Sequence, residues 1–451
     1  MTTRMLGKQA VVIGAGIAGL TAARALADHF ENVTVLERDS LPTTAAHRAS
    51  TPQARHVHGL MTGGIMALSE LYPDFLSVLE SAGAVPLRGG LDVRVERPGF
   101  DPFPVRDLNM RNFAISRSTL EFAVRQCTLQ HTNISVQSDC RVTGIVTGAG
   151  GTVVEGVNFH GADRVTQMLP ADMVIDASGR GALTLAVLKS TGRATPTETT
   201  IGIDLGYSTA TYEIPDDAPR DWKGVITFPL VPQSSRSALL LTIEGQRWMV
   251  SLCGRGDDKP PGDEAGFLDY ARNLRTPTIY NAIRNATRIG EIARYVFPKS
   301  SRRHFELIQG WPRGLIPIGD SICQFNPAYG QGMSVAAMEA VLLRRLLVQS
   351  RGESDPLAML APTFFTEVNA LLETPWIMAA IPDLIYPETV GQRPPDLQRN
   401  LRFGAALTRL AARKPDVHKL MVEVQSLVKP RSVYRRPMFM ARILLEMVRG
   451  P

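Results

Sequence analysis

Two stretches of this chain place residue types at spacings that suit chemistry, and they lie roughly 300 residues apart. The first is Gly14-Ala15-Gly16-Ile17-Ala18-Gly19, with Glu37 eighteen residues after Gly19. Each glycine has its own task. Gly14 permits a tight turn, Gly16 lets a pyrophosphate approach the backbone, and Gly19 lets helix and strand pack closely. The Glu37 carboxylate can accept from both hydroxyls of a ribose. Its charge repels a 2′-phosphate, which points to FAD or NAD rather than NADP. Arg38 beside it either stacks on adenine or is a solvated charge. The second stretch is residues 319–339, where the Asp320 carboxylate can accept from sugar hydroxyls and Pro327, Gly330 and Gly332 force an extended loop. A helix starting at such a loop presents free N–H groups and the positive end of its dipole. That suits an anion, or a ring that becomes negatively charged on reduction.

The elements that must position these groups follow from apolar spacing. Residues 9–13 form a buried-strand run into the glycines, 20–30 are helical, and 33–36 form a second strand ending at Glu37. Residues 315–318 read as a strand delivering Asp320, and 333–347 as the helix beyond the loop. Only one dinucleotide unit is present. An NAD dehydrogenase has no need of a second sugar-and-ring loop so far along the chain, whereas FAD spans both, with its ADP half on the first and its ribityl and isoalloxazine on the second.

Between the two stretches, Pro52-Gln53-Ala54-Arg55-His56-Val57-His58-Gly59-Leu60 collects two imidazoles and a guanidinium. His-x-His is a metal-ligand spacing, but no further His, Asp or Glu cluster accompanies it, so no metal is expected. A loop near the flavin edge fits better: Arg55 would favour the reduced, anionic flavin, and His56 and His58 would line the pocket. Arg117, capped by Ser116 or Ser118 at a helix start, is a candidate for the FAD pyrophosphate or ribityl.

Residues 65–71 and 75–82 are predicted helices, and 135–137, 141–146 and 156–159 are strands, the last two joined through a glycine turn at 148–151. Residues 172–176 form a buried strand entering Ala177-Ser178-Gly179. Strands at 201–211, 224–229, 237–244 and 247–252 read as an antiparallel sheet over the substrate, with Tyr207 and Tyr212 as pocket candidates. Helices follow at 266–274 and 277–286, and 291–297 is expected to return as a strand to the first domain. Helices at 364–372, 396–413, 417–427 and 438–448 are divided by prolines. The expected architecture is α/β: a Rossmann-type FAD-binding domain with an inserted antiparallel-sheet substrate domain and a C-terminal helical region. Its boundaries are 1–70, 112–185 and 300–350 for FAD, 71–111 and 186–299 for substrate, and 351–451 for the helices.

At 451 residues, with 44% hydrophobic and 20% charged residues, this is an ordinary globular composition with more than one core. The net charge of +6 is modest and no dense Lys/Arg block suggests nucleic acid. Four cysteines without a Cys-x-x-Cys pair are most simply free thiols, so a cytoplasmic location is expected. The first 27 residues mimic a signal peptide in charge and apolarity, but their glycine spacing argues against cleavage. No apolar stretch is long enough to span a bilayer. The apolar run at 438–445 reads as core or a dimer face first, and as peripheral membrane contact through the C-terminal helices second.

In this order, the 14–19 glycines with Glu37, Arg117, the 172–179 strand and turn, and the 319–333 stretch resemble the FAD-dependent aromatic hydroxylase (p-hydroxybenzoate hydroxylase-like) superfamily. The resemblance covers about the first 350 residues. Those hydroxylases usually carry Asp-Gly in the middle motif. Ala177-Ser178-Gly179 is more similar to the epoxidase, halogenase and geranylgeranyl-reductase branches. Within them, residues 52–60 with Phe325-Asn326-Pro327-Ala328-Tyr329-Gly330-Gln331-Gly332-Met333 look most like bacterial polyether epoxidases, distantly similar to squalene epoxidase. The resemblance implies non-covalent FAD with Asp320 on the ribityl chain and the 330–333 amides at the pyrimidine edge. The cofactor-binding set becomes Gly14, Ala15, Gly16, Ile17, Ala18, Gly19, Glu37, Arg38, Arg55, Arg117, Val142, Asp320, Pro327, Gly330, Gln331, Gly332 and Met333. Arg55, His56 and Pro327 have pocket and flavin-edge roles in catalysis, and His58, Tyr207, Phe325 and Tyr329 line the substrate.

The implied chemistry is reduction of FAD by NAD(P)H, directly or through a separate flavin reductase, then reaction with O₂. One oxygen atom passes from a flavin C4a-hydroperoxide to a small hydrophobic substrate, an alkene of a polyketide or terpenoid secondary metabolite. An electron-rich alkene needs no protein base, whereas a phenol benefits from one, and His56 or His58 could serve. A halogenase would carry a Trp-x-Trp-x-Ile-Pro segment, and none of Trp222, Trp248, Trp311 or Trp376 lies in one. A geranylgeranyl-reductase-like enzyme would reduce an alkene and consume no oxygen.

Overall fold

The computed structural model describes residues 5–449. Its nucleotide half is built on a five-stranded parallel sheet in the order Leu315–Pro317, Met173–Asp176, Gly7–Ile13, Phe30–Leu36, Ile134–Gln137. Parallel strands covered on both faces read as unbroken apolar runs, and Val11, Val12, Val174 and Ile175 are fully buried. Burying each such side chain is worth about 1.5–3 kcal/mol, which is why this strand core tolerates a polar, glycine-rich rim. Ile13 is in register with both Leu36 and Asp176, so the loops that follow these three strands emerge side by side. This is the crevice at the carboxyl ends of the strands where open α/β sheets bind ligands. The helix Ile17–Ala27 covers the sheet and the helix Gly332–Ser350 packs on that helix in turn, and their small residues Ala22, Ala23, Ala337 and Ala340 are fully buried. The hairpin Arg141–Thr147/Val154–His160 forms as expected and gains a third strand, Thr166–Pro170.

The second layer is a seven-stranded sheet in the order Cys323–Gln324, Arg288–Arg303, Glu198–Glu213, Arg247–Arg255, Ser237–Ile243, Gly224–Thr227, Val93–Glu96. Residues 291–297 do not return to the first domain. They lie inside the 16-residue strand Arg288–Arg303, antiparallel to Glu198–Glu213, with Tyr295 opposite Tyr207. The return is made by the short strand Cys323–Gln324, which pairs with Arg302 and Ser301. The expected boundary at residue 71 also shifts. Phe75 and Leu79 of the helix Phe75–Ser81 are fully buried with Leu20 and Leu68 in the nucleotide core.

The C-terminal region is helical over Leu360–Asp383, Leu397–Arg413, Pro415–Gln425 and Pro437–Val448. Prolines do not divide the first of these: Pro375 and Pro382 lie inside a 24-residue helix, which extends well beyond the expected 364–372. Each costs a ladder hydrogen bond, and tertiary packing of neighbours such as Leu372 and Ala379 keeps the helix continuous. No helix among the described residues is long and apolar enough to cross a membrane.

Candidate active site

A cavity of about 750 Å³ lies between the crevice of the parallel sheet and one face of the large sheet. Its glycine end shows three separate steric reasons for three glycines. Gly14 has φ +98° and a Cβ there would sit 2.8 Å from the Ala177 carbonyl oxygen. A Cβ on Gly19 would sit 1.8 Å from the Gly14 carbonyl oxygen, inside the backbone. A Cβ on Gly16 would meet nothing within 4 Å, because that side faces the cavity. Gly14, Gly16, Ile17 and Ala18 line the cavity, while Ala15 and Gly19 shape the turn behind it. The helix Ile17–Ala27 begins without a side-chain cap, so its N–H groups stay available.

Glu37 is only 4% exposed. It accepts from the backbone N–H of Ala15 at 2.7 Å and of Asp39 at 3.0 Å, and Arg48 lies 3.1 Å away. Arg48 was invisible as a site residue in the sequence. It sits in a polar loop without periodicity, yet it is buried and bridges Glu37 to Glu121, the latter at 2.7 Å. Burial works against its charge, but Glu121 and Glu37 outweigh it and hold the guanidinium above its usual range. Arg38 is exposed at the rim, and Val142 forms part of the wall near it.

The Ser116 hydroxyl caps the helix Arg117–Leu129 by accepting from Thr119 N–H, so Ser116 rather than Ser118 is the cap. Arg117 is buried in the cavity wall, donates to Glu121 at 3.0 Å and to the Met333 sulfur. Burial lowers its pKa, opposed by Glu121. Asp320 faces the open cavity with protein massed around it, which pushes its carboxyl up to about 6 despite the Arg117 charge. The two distant stretches meet here: a Cβ on Gly319 would lie 2.8 Å from Ala18 Cβ. Glu339, fully buried, accepts from Gly319 N–H at 2.6 Å, and burial raises its carboxyl to about 8.

Pro327, Gly330, Gln331, Gly332 and Met333 all line the cavity. The helix Gly332–Ser350 starts uncapped, and the Gln331 side chain beside it is 1% exposed with neither amide atom partnered. A bare Gly16, two uncapped helix starts, the Glu37 and Asp320 carboxylates and the unpartnered Gln331 amide are groups that would suit FAD in this cavity.

At the other end, His56 Nδ1 shares a hydrogen with Thr209 Oγ1 at 2.8 Å, and the Thr209 and Ser251 hydroxyls are 2.5 Å apart. The His56 ring meets Tyr207 edge-on at 4.6 Å, and Tyr207 lies 5.5 Å from Tyr295. Burial, with Arg55 nearby, lowers the His56 pKa to about 4. His58 Nδ1 is bonded to the His56 carbonyl at 2.8 Å, and burial with Arg117 opposite lowers its pKa to about 3. Both imidazoles line the cavity in the neutral form.

Three expectations fail here. Arg55 is exposed and outside the cavity wall, because the turn Pro52–Arg55 turns Gln53 inward in its place. Tyr212 lies five residues from Tyr207, so the period-two strand sends it to the opposite face, into a core with Trp248 and Phe267. Tyr329 does not line the cavity, since its hydroxyl donates to Asp383 at 2.8 Å. Phe325 does line it, and Tyr295, Phe297, Leu239 and Cys253 join Tyr207 in the opposing wall. Tyr295 could have been found only from the strand pairing that sets it beside Tyr207.

A family profile described as FAD dependent oxidoreductase matches residues 9–103. Protein Rv3254 of Mycobacterium tuberculosis (strain ATCC 25618 / H37Rv) is 33% identical over 353 residues, covering 75% of this chain and 72% of that protein. Among solved structures, the flavin-dependent brominase Bmp2 aligns over 99% of this chain and 100% of its own, with a TM-score of 0.68 and 14% identity. PqsL of P. aeruginosa, in complex with 2-aminobenzoylacetate, aligns over 83% of this chain and 96% of its own, with a TM-score of 0.61 and 14% identity. At those identities the structural likeness speaks for the fold. With a cavity shaped for a dinucleotide at one end and an aromatic wall at the other, and with an FAD dependent oxidoreductase profile over its first hundred residues, the chain belongs to the family of Protein Rv3254.

Proposed function

We propose that the protein is a monooxygenase that places one oxygen atom from O₂ on a carbon–carbon double bond of a hydrophobic secondary metabolite, a polyketide or terpenoid. FAD, when bound, would supply the reducing electrons that activate O₂, the source of the transferred atom. The observation that carries the reading is the wall opposite the Asp320–Met333 loop. Tyr207, Tyr295, Phe297 and Leu239 present an aromatic and aliphatic surface, and the His56 imidazole beside Tyr207 is held neutral. Such a wall binds an apolar substrate and keeps water from the reacting centre. Gly16 and the two helix starts would hold the anionic cofactor, Asp320 would accept from its polyol hydroxyls, and Arg117 would offset negative charge near Met333.

Reducing equivalents come from a nicotinamide dinucleotide, bound here or at a separate flavin reductase. The four cysteines are unpaired, which suits a cytoplasmic location. The test is anaerobic reduction followed by mixing with ¹⁸O₂ and candidate alkenes. Label in an epoxide supports the reading. Label in a phenol product, lost in His56→Ala, supports aromatic hydroxylation, which the unpartnered His56 Nε2 would favour. A saturated product without label makes the protein an alkene reductase.

The same reading includes peripheral contact with an anionic membrane, where hydrophobic substrates partition. On the helix Pro437–Val448, Met438 and Val448 are 85% exposed and Leu444 and Leu445 are also exposed. Exposed Arg435, Arg436 and Arg449 flank them, while the helix's one acid, Glu446, is buried against Arg409 and Arg413. Co-sedimentation with vesicles containing phosphatidylglycerol, weakened by Leu445→Asp and by salt, is the expected result. Loss of a dimer in Leu445→Asp, without vesicle binding, would assign the face to a second copy.

A further inference from the structure

The cavity wall from Phe325 to Gly330 is a tight turn that must hold its shape against a bound cofactor. Asn326 closes it locally, its Oδ1 accepting from Ala328 N–H at 3.0 Å and its carbonyl accepting from Tyr329 N–H at 3.2 Å. The polar groups pointing away from the cavity converge on one carboxylate, Asp383, the last residue of the helix Leu360–Asp383. Asp383 is fully buried. Its Oδ1 accepts from Asn326 Nδ2 at 2.9 Å and from the Tyr329 hydroxyl at 2.8 Å, and also from Arg255 Nη2. Arg255 ends the strand Arg247–Arg255, two residues beyond Cys253 of the cavity wall. Its other arm donates to Thr389 Oγ1 at 3.2 Å, that hydroxyl donates to the Asp383 carbonyl at 2.7 Å, and the guanidinium lies 4.3 Å from the Tyr386 ring centroid. No buried side-chain polar atom of Asp383, Arg255, Asn326 or Tyr329 lacks a partner.

We propose that Asp383 is a positioning residue: it ties Asn326 and Tyr329 to the substrate sheet through Arg255 and so fixes where the 325–330 wall stands against bound FAD. This rests on the flavin reading above and adds a role for the C-terminal region within the cofactor site. A buried ion pair is a poor way to gain stability, because apolar side chains of similar volume often do as well. What they cannot supply is direction. A fully satisfied carboxylate with three donors from two other chain segments specifies one arrangement of those segments about its own helix end.

The test uses the full chain stripped of flavin and titrated with FAD, with visible circular dichroism of the bound flavin and a melting curve. Tyr329→Phe removes one donor and keeps the ring. It should weaken FAD binding about five- to tenfold and alter the flavin dichroism with little change in melting temperature. Asp383→Asn combined with Arg255→Gln removes both charges, so no buried charge is left uncompensated. It should weaken FAD binding by at least as much and raise the share of reductant lost as H₂O₂. Should the double variant fail to fold, Tyr329→Phe decides alone. Folded variants with wild-type FAD affinity and unaltered dichroism, even at a lower melting temperature, would reduce Asp383 to a structural ion pair and overturn the proposal. A wild-type protein that takes up no FAD would overturn the flavin reading itself and this proposal with it.

Discussion

The turn at residues 14–19 and the inner face of the strand Glu198–Glu213 border the same cavity by different physics. At the turn, recognition belongs to the backbone, and side chains matter chiefly by their absence. A Cβ at Gly19 would collide with the chain itself, while one at Gly16 would project into empty space. On the strand, recognition belongs to side chains, and what matters is which face each one takes. Tyr207 looks into the cavity, Thr209 on the same face holds His56 from behind, and Tyr212 is lost to the opposite core. Backbone recognition leaves a spacing that can be read in one dimension. Side-chain recognition leaves only residues whose meaning depends on pairing partners far along the chain.

The sharpest break of this contrast is Gly19→Ala, expected to destabilise the protein by about 3 kcal/mol or more, at the upper end of overpacking, because the obstacle is backbone. Thermal melting and the flavin content of purified material would both fall. Gly16→Val should leave the melting temperature of the flavin-free protein almost unchanged and yet weaken FAD binding more than tenfold, as read by fluorescence titration. Equal losses of stability in both variants would remove the distinction between a packing glycine and a ligand-approach glycine.

A smaller effect sharpens the role of Asp320. Its carboxyl in the flavin-free fold is pushed up to about 6 by the protein massed around the cavity mouth it faces, so a cofactor hydroxyl that donates to the ionised form binds best above that pH. FAD affinity should fall severalfold as pH drops through about 6, and Asp320→Asn should be weaker throughout and lose this pH dependence. The same raised pKa acts in the opposite sense on folding. The native protein binds this proton more tightly than the unfolded chain, so Asp320 destabilises the flavin-free fold above about pH 6 and that cost fades as pH falls toward the ordinary carboxylate range. The smallest effect is reserved for the strand face. Tyr207→Phe should leave FAD affinity and melting unchanged within about 0.5 kcal/mol and move only the KM for substrate.

Much of the cofactor half was written locally. Glycine spacing, an acid ending the second strand and an apolar run before Asp320 each follow from short-range constraints. Ser116 announced the helix that buries Arg117. The rest required the third dimension. Arg48 is meaningful only because folding places it between Glu37 and Glu121. Arg55 looked suited to a reduced ring, but it lies two residues beyond Gln53 in a 3₁₀ turn of about three residues, which points it away from Gln53 and into solvent. Pro375 suggested a break, yet packing in the C-terminal region kept the helix whole. Asp383 stands alone in its segment, and its donors arrive from two other parts of the chain, the 326–329 turn and Arg255.

The short strand Cys323–Gln324 limits how the cavity can open. It hydrogen-bonds to Arg302 and Ser301 of the large sheet and runs directly into Phe325 of the cofactor-side wall. The floor and ceiling of the cavity are thus stitched by a shared piece of main chain. A clamshell motion that parted them would have to unzip those bonds. Traffic of large, apolar molecules is better served by the rim, where Pro52-Gln53 and Pro327-Ala328 meet solvent and no ladder has to be undone.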